Sequence, residues 1–282
     1  MAFKDLLVHI DASADCTHRV NAALALAKRQ NASVTGVALA LESTIQTYVG
    51  IDFPSGLSQQ QQDIVRQAAD AAIAMFEKAA VEAGVKSTTY RISCGATKAP
   101  AQLSFYARHA DITFMGQPRA DAAGAAFQES LLDGVLFSSG RPVYVVPYIG
   151  RFQTDARKAV IAWDGGQKAV RAVNDAIPLL EGRGGEVIVL VINAEQRKGA
   201  HGDEPGADIA AHLKRHGLNT RIERQTIKDI SIDAAILNYL SDSSADLLVM
   251  GAYGHSRLRE RAFGGVTNEI LHHMTTPVLM ST

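Results

Sequence analysis

Cysteine is nearly missing from these 282 residues: Cys16 and Cys94 are the whole complement, far apart and without a CxxC partner. A disulfide framework is thereby excluded, which predicts a reducing, cytoplasmic setting. An excess of charge of either sign is also lacking, because 28 Lys+Arg stand against 29 Asp+Glu for a formal net charge of −1. Neither polyanion steering nor a self-repelling acidic tail has a net charge to act through, so a strongly basic nucleic-acid binder is excluded. No window reaches the roughly 18 uninterrupted apolar residues of a membrane span. The N-terminus runs from Met1-Ala2-Phe3-Lys4-Asp5 straight into an apolar strand, with no signal-peptide pattern. What the chain does have is 47% hydrophobic residues, enough for a packed core.

The chain is written twice. An apolar strand ending on an aspartate, Phe3 to Asp11, is echoed by Arg157 to Asp164. Ala110-Asp111-Ile112-Thr113-Phe114-Met115-Gly116 is echoed by Ala245-Asp246-Leu247-Leu248-Val249-Met250-Gly251, and Arg141-Pro142-Val143-Tyr144-Val145-Val146-Pro147 by Thr276-Pro277-Val278-Leu279-Met280. The last two echoes share an offset of 135 residues, whereas Asp11 and Asp164 are 153 apart, so the first copy holds an insertion of 18. That excess fits the polar stretch from Glu42 to Gln62, where Ser58-Gln59-Gln60-Gln61-Gln62 reads as the entry to a long helix. Two domains are expected, residues 1–149 and 156–282, joined by a short polar linker from Tyr148 to Ala156.

Within the second copy, Val160–Trp163 reads as a short buried strand and Ala169–Leu180 as a helix, broken by Gly182, Gly184 and Gly185. Val187–Ile192 is a run of branched residues typical of a strand buried on both faces. Ile209–His216 is a helix with Gly217 as its stop. Thr220–Gln225 is a more exposed strand and Ser231–Leu240 a helix. Leu247–Met250, Val266–His273 and Pro277–Met280 complete a strand, a helix and a strand. Alternation of this kind predicts an α/β domain in each copy, a five-stranded parallel sheet with helices on both faces. The last strands, Val143–Val146 and Val278–Met280, are edges that need covering, which favours pairing of the two copies within one chain.

In an open parallel sheet a ligand sits beyond the carboxyl ends of the strands, where strand order reverses. In the second copy that selects Asp164, Asn193 and the segment from Gly251 to Thr267. Its glycines at 251, 254, 264 and 265 let backbone approach a ligand, the following helix N-terminus offers amide hydrogens to an anion, and His255, Arg257, Arg259 and Arg261 could neutralise phosphate. The residues alone predict a phosphate site. Each also has a plainer reading: the glycines as turns, Asp164 as a helix N-cap, the arginines as a solvated loop. His212 and His216 share a helix face at metal-ligand spacing, but with no cysteine or intervening glutamate a metal is not expected. His272 and His273 suit the negative end of a helix dipole. The thiols of Cys16 and Cys94 read as bystanders.

The pattern Gly-x2-Gly-x9-Gly after a strand ending Met-Gly, here Gly251, Gly254 and Gly264, resembles the nucleotide loop of universal stress proteins, and the resemblance covers nearly the whole chain as two tandem copies. It implies flavodoxin-like (adenine nucleotide alpha hydrolase-like) domains and an adenine nucleotide, ATP, ADP or AMP, with Mg²⁺ as companion. By that resemblance Asp164 contacts the adenine or ribose end beside Ala162 and Trp163, Val191 meets the base through its backbone, and Met250 packs near it. Gly251, Gly254, Gly264, Gly265 and Thr267 then surround ribose and phosphates, and the loop's own residues add His255, Arg257 and Val266 to the expected site.

Two departures qualify this. Gly265 stands where the family places Ser or Thr, removing a hydroxyl but not the backbone N–H. In the first copy Arg119 replaces the second glycine and Glu129-Ser130 stand where the helix mouth is counted to fall, so that copy is expected to be a structural partner, with Asp11 given no task. No Gly-x-Ser-x-Gly, Walker or HExxH pattern is present, so no catalytic residue is expected. The expected function is a signalling or protective stress-response protein that binds an adenine nucleotide in its C-terminal domain. The alternatives are a non-nucleotide structural or interaction protein and a slow ATP hydrolase; association of two chains into a homodimer stays open.

Overall fold

The computed structural model describes residues 2–42, 55–120, 124–150, 157–196, 203–253 and 265–282. The chain divides into two compact units. An N-terminal unit comprises Phe3–Gly116 and Asp121–Arg141; a C-terminal unit comprises Met1–Ala2, Gln117–Ala120 and Pro142–Thr282.

The N-terminal unit runs β1 (Asp5–Ile10), α1 (Cys16–Gln30), β2 (Ser33–Glu42), α2 (Ser55–Ala83), β3 (Ser87–Gly95), α3 (Ala99–Ala107), β4 (Ile112–Gly116) and α4 (Ala125–Ser138). Its strands lie in the order β3-β2-β1-β4, all parallel. The insertion read from the repeat offset falls at α2, a 29-residue helix; residues 43–54 of that stretch lie outside the described residues. Phe76 on α2 is fully buried, and Asp70 is ion-paired with Arg91 at 2.6 Å, fastening the helix to β3.

The C-terminal unit runs β5 (Val143–Val146), β6 (Lys158–Ala162), α5 (Gln167–Leu180), β7 (Glu186–Ile192), α6 (Ala207–Arg215), β8 (Asn219–Gln225), α7 (Ile232–Ser243), β9 (Leu247–Gly251), α8 (Val266–His273) and β10 (Val278–Ser281). The order is β5-β10-β9-β6-β7-β8. Five of these strands are parallel, and β5 runs antiparallel to β10, with Tyr144 opposite Leu279. The last strand of the first repeat is therefore built into the C-terminal unit, where each strand covers the edge that the other would expose.

The central strands carry continuous apolar runs because both faces are covered by helices. Val187–Val191 and Leu247–Met250 are buried at every position. The repeated Ala-Asp pair has a structural purpose at the amino ends of the strands. Asp111 Oδ2 accepts the N–H groups of Lys4 and Asp5 at 2.6 and 3.1 Å, and Asp246 Oδ2 accepts those of Arg157 and Lys158, both at 2.9 Å. Each aspartate thus satisfies orphan donors at the start of the neighbouring strand and fixes register. Helix ends follow sequence chemistry: Gly217 has φ +76 after α6, and Ser231 Oγ accepts Ala234 N–H at the start of α7.

Candidate functional site

Chain order in the C-terminal unit reverses between β6 and β9: β7 and β8 add on one side of β6, β9 and β10 on the other. The crevice beyond the carboxyl ends of those two strands is the place at which an α/β sheet of this kind can receive a ligand. Two helices start there, α5 with Gly166 at its N-cap and α8 with Gly265 at its N-cap. Neither start has a side-chain cap hydrogen bond, and first-turn amide hydrogens lack an intrahelical acceptor by construction.

Asp164 follows β6. Its Oδ1 accepts the N–H of Gly166 at 2.8 Å, an Asx turn that precedes the helix. The N-cap itself is Gly166, so the sequence reading of Asp164 as the cap is displaced by two residues. Ala162 ends β6, and Trp163 is half-buried with its backbone N–H donated to Leu190 O at 2.9 Å, continuing the sheet. Val191 is buried within β7, and Met250 is buried at the end of β9. Asn193 has φ +51; its side-chain oxygen accepts Ile227 N–H at 2.8 Å, joining the exits of β7 and β8.

Gly251 is packed from behind. A Cβ built on it would stand 2.7 Å from Ala169 N and 2.7 Å from the Lys168 carbonyl carbon, so the start of α5 fills the space that the missing side chain leaves. The absence of Cβ at this position is required by helix-to-strand packing. Tyr253 follows in a left-handed conformation, φ +53. Its N–H is donated to Thr267 Oγ1 at 2.9 Å, and its carbonyl accepts Lys168 Nζ at 2.5 Å. Lys168 is a cation at the crevice that sequence reasoning missed; its sole signal was its place four residues after Asp164. Thr267 is 3% exposed. Val266 opens α8. Gly254, His255, Arg257 and Gly264, with Arg259 and Arg261, lie outside the described residues. The structure thus brings Asp164, Gly251 and the Gly265-Val266-Thr267 helix start to the carboxyl edge of adjacent strands, with Trp163 beside them.

The matching place in the N-terminal unit is built differently. Asp11 follows β1 and holds Arg19 Nη2 at 2.6 Å, with Ser13 N–H and Oγ also donating to it. Asp11, expected to be idle, has a task. Arg19 is 3% exposed, and its Nε donates to His9 O at 2.6 Å. Burial and the Arg19 charge push His9 well below the ordinary histidine range, against the opposite pull of Asp11. Burial works to raise the Asp11 carboxyl, but Arg19, His9 and Ser13 together hold it below the usual carboxylate range. The Cys16 thiol, which accepts Asp11 N–H at 3.4 Å, is pushed up by burial.

The degenerate loop also differs from its sequence reading. α4 begins at Ala125 after Gly124 at φ +92, so Glu129 sits in the second turn and not at the helix mouth. The offset of 135 places the mouth too late because α4 is 14 residues long and α8 only 8. Gln117 belongs to the C-terminal unit, where its Nε2 donates to Leu271 O and His272 O at 2.8 and 3.2 Å while its Oε1 accepts Tyr148 N–H at 3.2 Å. Arg119 lies 4.9 Å from the Tyr148 ring centroid, a cation–π contact. The rings of His212 on α6 and His216 at its C-cap meet edge-on at 4.8 Å, and His216 Nδ1 is 3.5 Å from Glu181.

Residues 156–281 match the model of the Universal stress protein family. The Universal stress protein Slr1230 of Synechocystis is 45% identical over 47 residues, a stretch that spans 17% of this chain and 16% of that relative. A universal stress protein from Archaeoglobus fulgidus superposes with a TM-score of 0.77 at 16% identity, over 99% of this chain and 96% of that one. A putative universal stress protein from Pseudomonas aeruginosa does so at 0.55 and 13% identity, over 99% and 93%. At such identities the superpositions speak for the fold. No helix among the described residues is long and apolar enough to cross a membrane. The chain therefore carries a Universal stress protein family domain, residues 156–281, within a fold it shares with solved universal stress proteins along nearly its whole length.

Proposed function

We propose that the C-terminal unit binds an adenine nucleotide, ATP, ADP or AMP, and that the protein acts in a stress response by binding and not by catalysis. The observation that carries this reading is the convergence at the β6/β9 reversal of one carboxylate, Asp164, with the N-termini of α5 and α8. A carboxylate suits ribose hydroxyls, which donate to it, and helix N-termini suit phosphate oxygens. Asp164 takes the ribose or adenine end, with Ala162, Trp163, Val191 and Met250 around the base. Phosphates face Gly251, Gly254, His255, Arg257, Gly264, Gly265 and Val266. Because Thr267 Oγ1 already accepts Tyr253 N–H, Thr267 contributes mainly through its backbone amide. A triphosphate would bring Mg²⁺ with it.

The test is a thermal-shift titration of the full chain with ATP and Mg²⁺. A ligand bound only by the folded state adds RT ln(1 + [L]/Kd), about 2.7 kcal/mol at a hundred times Kd. Wild type should shift with ATP concentration; Gly254→Glu and Asp164→Ala should lose the shift, and Arg119→Gly should keep it. No shift in wild type, or an undiminished shift in Gly254→Glu, overturns the proposal. A second reading, a non-nucleotide scaffold, is favoured by Gly251, whose missing side chain is explained by α5 alone; silence of the wild type towards every adenine nucleotide would select it.

A further inference from the structure

The two repeats offer the same crevice and fill it differently. The segments after Asp11 and Asp164 align without a gap, Val20-Asn21 on Val173-Asn174, so Arg19 stands where the second repeat has Ala172 and His9 where it has Ala162. Ala172 is fully buried. Arg19 instead sends a guanidinium from α1 towards the carboxyl ends of β1 and β4, the strands between which order reverses in the N-terminal unit. There Nε donates to His9 O at 2.6 Å, Nη2 pairs with Asp11 at 2.6 Å, and Nη1 donates to Ser13 Oγ at 3.5 Å. A Cβ on Gly116, the residue that ends β4, would come within 2.8 Å of Nη1. In the second repeat, by contrast, the space before Gly251 is filled by α5 backbone. The glycine at the end of β4 is thus matched to an arginine of the same chain.

We propose that Arg19 is a built-in ligand surrogate: its guanidinium fills the switch-point crevice of the N-terminal unit, engages the aspartate that a ligand would use, and leaves the chain with one small-molecule site in place of two. The proposal deepens the nucleotide reading and rests on it for the count of sites. The occupancy of the N-terminal crevice rests on Arg19 alone. A planar fork with five donors fits a site offering a carboxylate, a backbone carbonyl and a hydroxyl. Removing it leaves the carboxylate with Ser13 but without its guanidinium and opens a hole of guanidinium shape, so the emptied site should accept a small guanidinium cation from solution.

The experiment uses the full chain with Arg19→Ala, which installs the residue of the second repeat. Hydrogen exchange is followed in β1 and β4 with and without millimolar methylguanidinium, well below denaturing concentrations. Loss of Arg19 should raise exchange in β1 and β4 about tenfold or more and leave β6, β7 and β9 as they were. Methylguanidinium should restore protection saturably in Arg19→Ala and not in the Asp11→Asn, Arg19→Ala double variant. Unchanged exchange in Arg19→Ala, no rescue, or equal rescue in the double variant overturns the proposal. Should Arg19→Ala fail to fold, Asp11→Asn carries the test: its exchange should rise in β1 and β4 alone, and an unchanged pattern refutes. Calorimetry on the wild type should give one ATP per chain, and two would overturn the surrogate role. No ATP bound at all defeats the nucleotide reading while the methylguanidinium result still decides the part played by Arg19.

Discussion

Thr267 Oγ1 accepts the backbone N–H of Tyr253 across 2.9 Å, joining the exit of β9 to the first turn of α8. Both residues are buried, Tyr253 at 8% and Thr267 at 3% exposure. The bond anchors Tyr253 in a left-handed conformation that a residue with a side chain seldom adopts. Thr267→Val keeps the shape and strands a buried N–H, which should cost about 1–3 kcal/mol. Thr267→Ser restores the acceptor and should recover most of that loss. Equilibrium denaturation of the two variants decides, and equal stability of Val and Ser would show the bond to be idle.

Gly251→Ala should destabilise the C-terminal unit whether or not nucleotide is present. The added carbon meets the α5 backbone at Ala169 and Lys168, and backbone cannot swing aside as a side-chain tip can. Overpacking of this kind costs about 1–3 kcal/mol. Urea unfolding without ligand measures it; a ligand-free stability equal to wild type would mean that Gly251 serves only the ligand.

Acid should weaken the N-terminal unit in two stages. Desolvation and the Arg19 charge lower His9 from 6.5 to about 4, while Asp11 pulls the other way. The unfolded chain therefore takes up that proton first, so the contribution of neutral His9 is complete above pH 6.5 and lost as pH falls towards 4, on the order of 3 kcal/mol. Burial raises Asp11, but Arg19, His9 and Ser13 outweigh it and bring the carboxyl from 3.8 to about 2. Its contribution is complete above 3.8 and lost between 3.8 and 2. Exchange protection of β1 against pH reads both limbs. His9→Ala should flatten the upper one, and a variant profile parallel to wild type would refute the assignment.

Gln117→Leu should unfasten the far end of α8. It removes the donor that Leu271 O and His272 O share and the acceptor of Tyr148 N–H. With Gln117 only 5% exposed, the loss should be about 1–3 kcal/mol and should appear as faster exchange at Met274 and Tyr148. Stability matching wild type would show that solvent replaces all three bonds.

The sequence by itself determined the twofold repeat, the α/β alternation and the place of the long insertion helix, because apolar runs, glycine stops and echoed motifs are local. It also marked the strand ends at which Asp164 and Gly251 lie. Only the tertiary structure decided what those residues touch. Asp11 and Asp164 follow echoed strands and each accepts the N–H two residues on, yet Asp11 also meets Arg19 from the following helix, where the second repeat has Ala172. Gly116 and Gly251 end echoed strands, yet one faces a guanidinium and the other a helix backbone. Gln117, a departure from a glycine loop when read along the chain, is in space a bracket on a helix end more than 150 residues away. Spacing along a chain fixes which face a residue occupies, but the partner across that face comes from an element whose docking depends on the packing of every side chain between them.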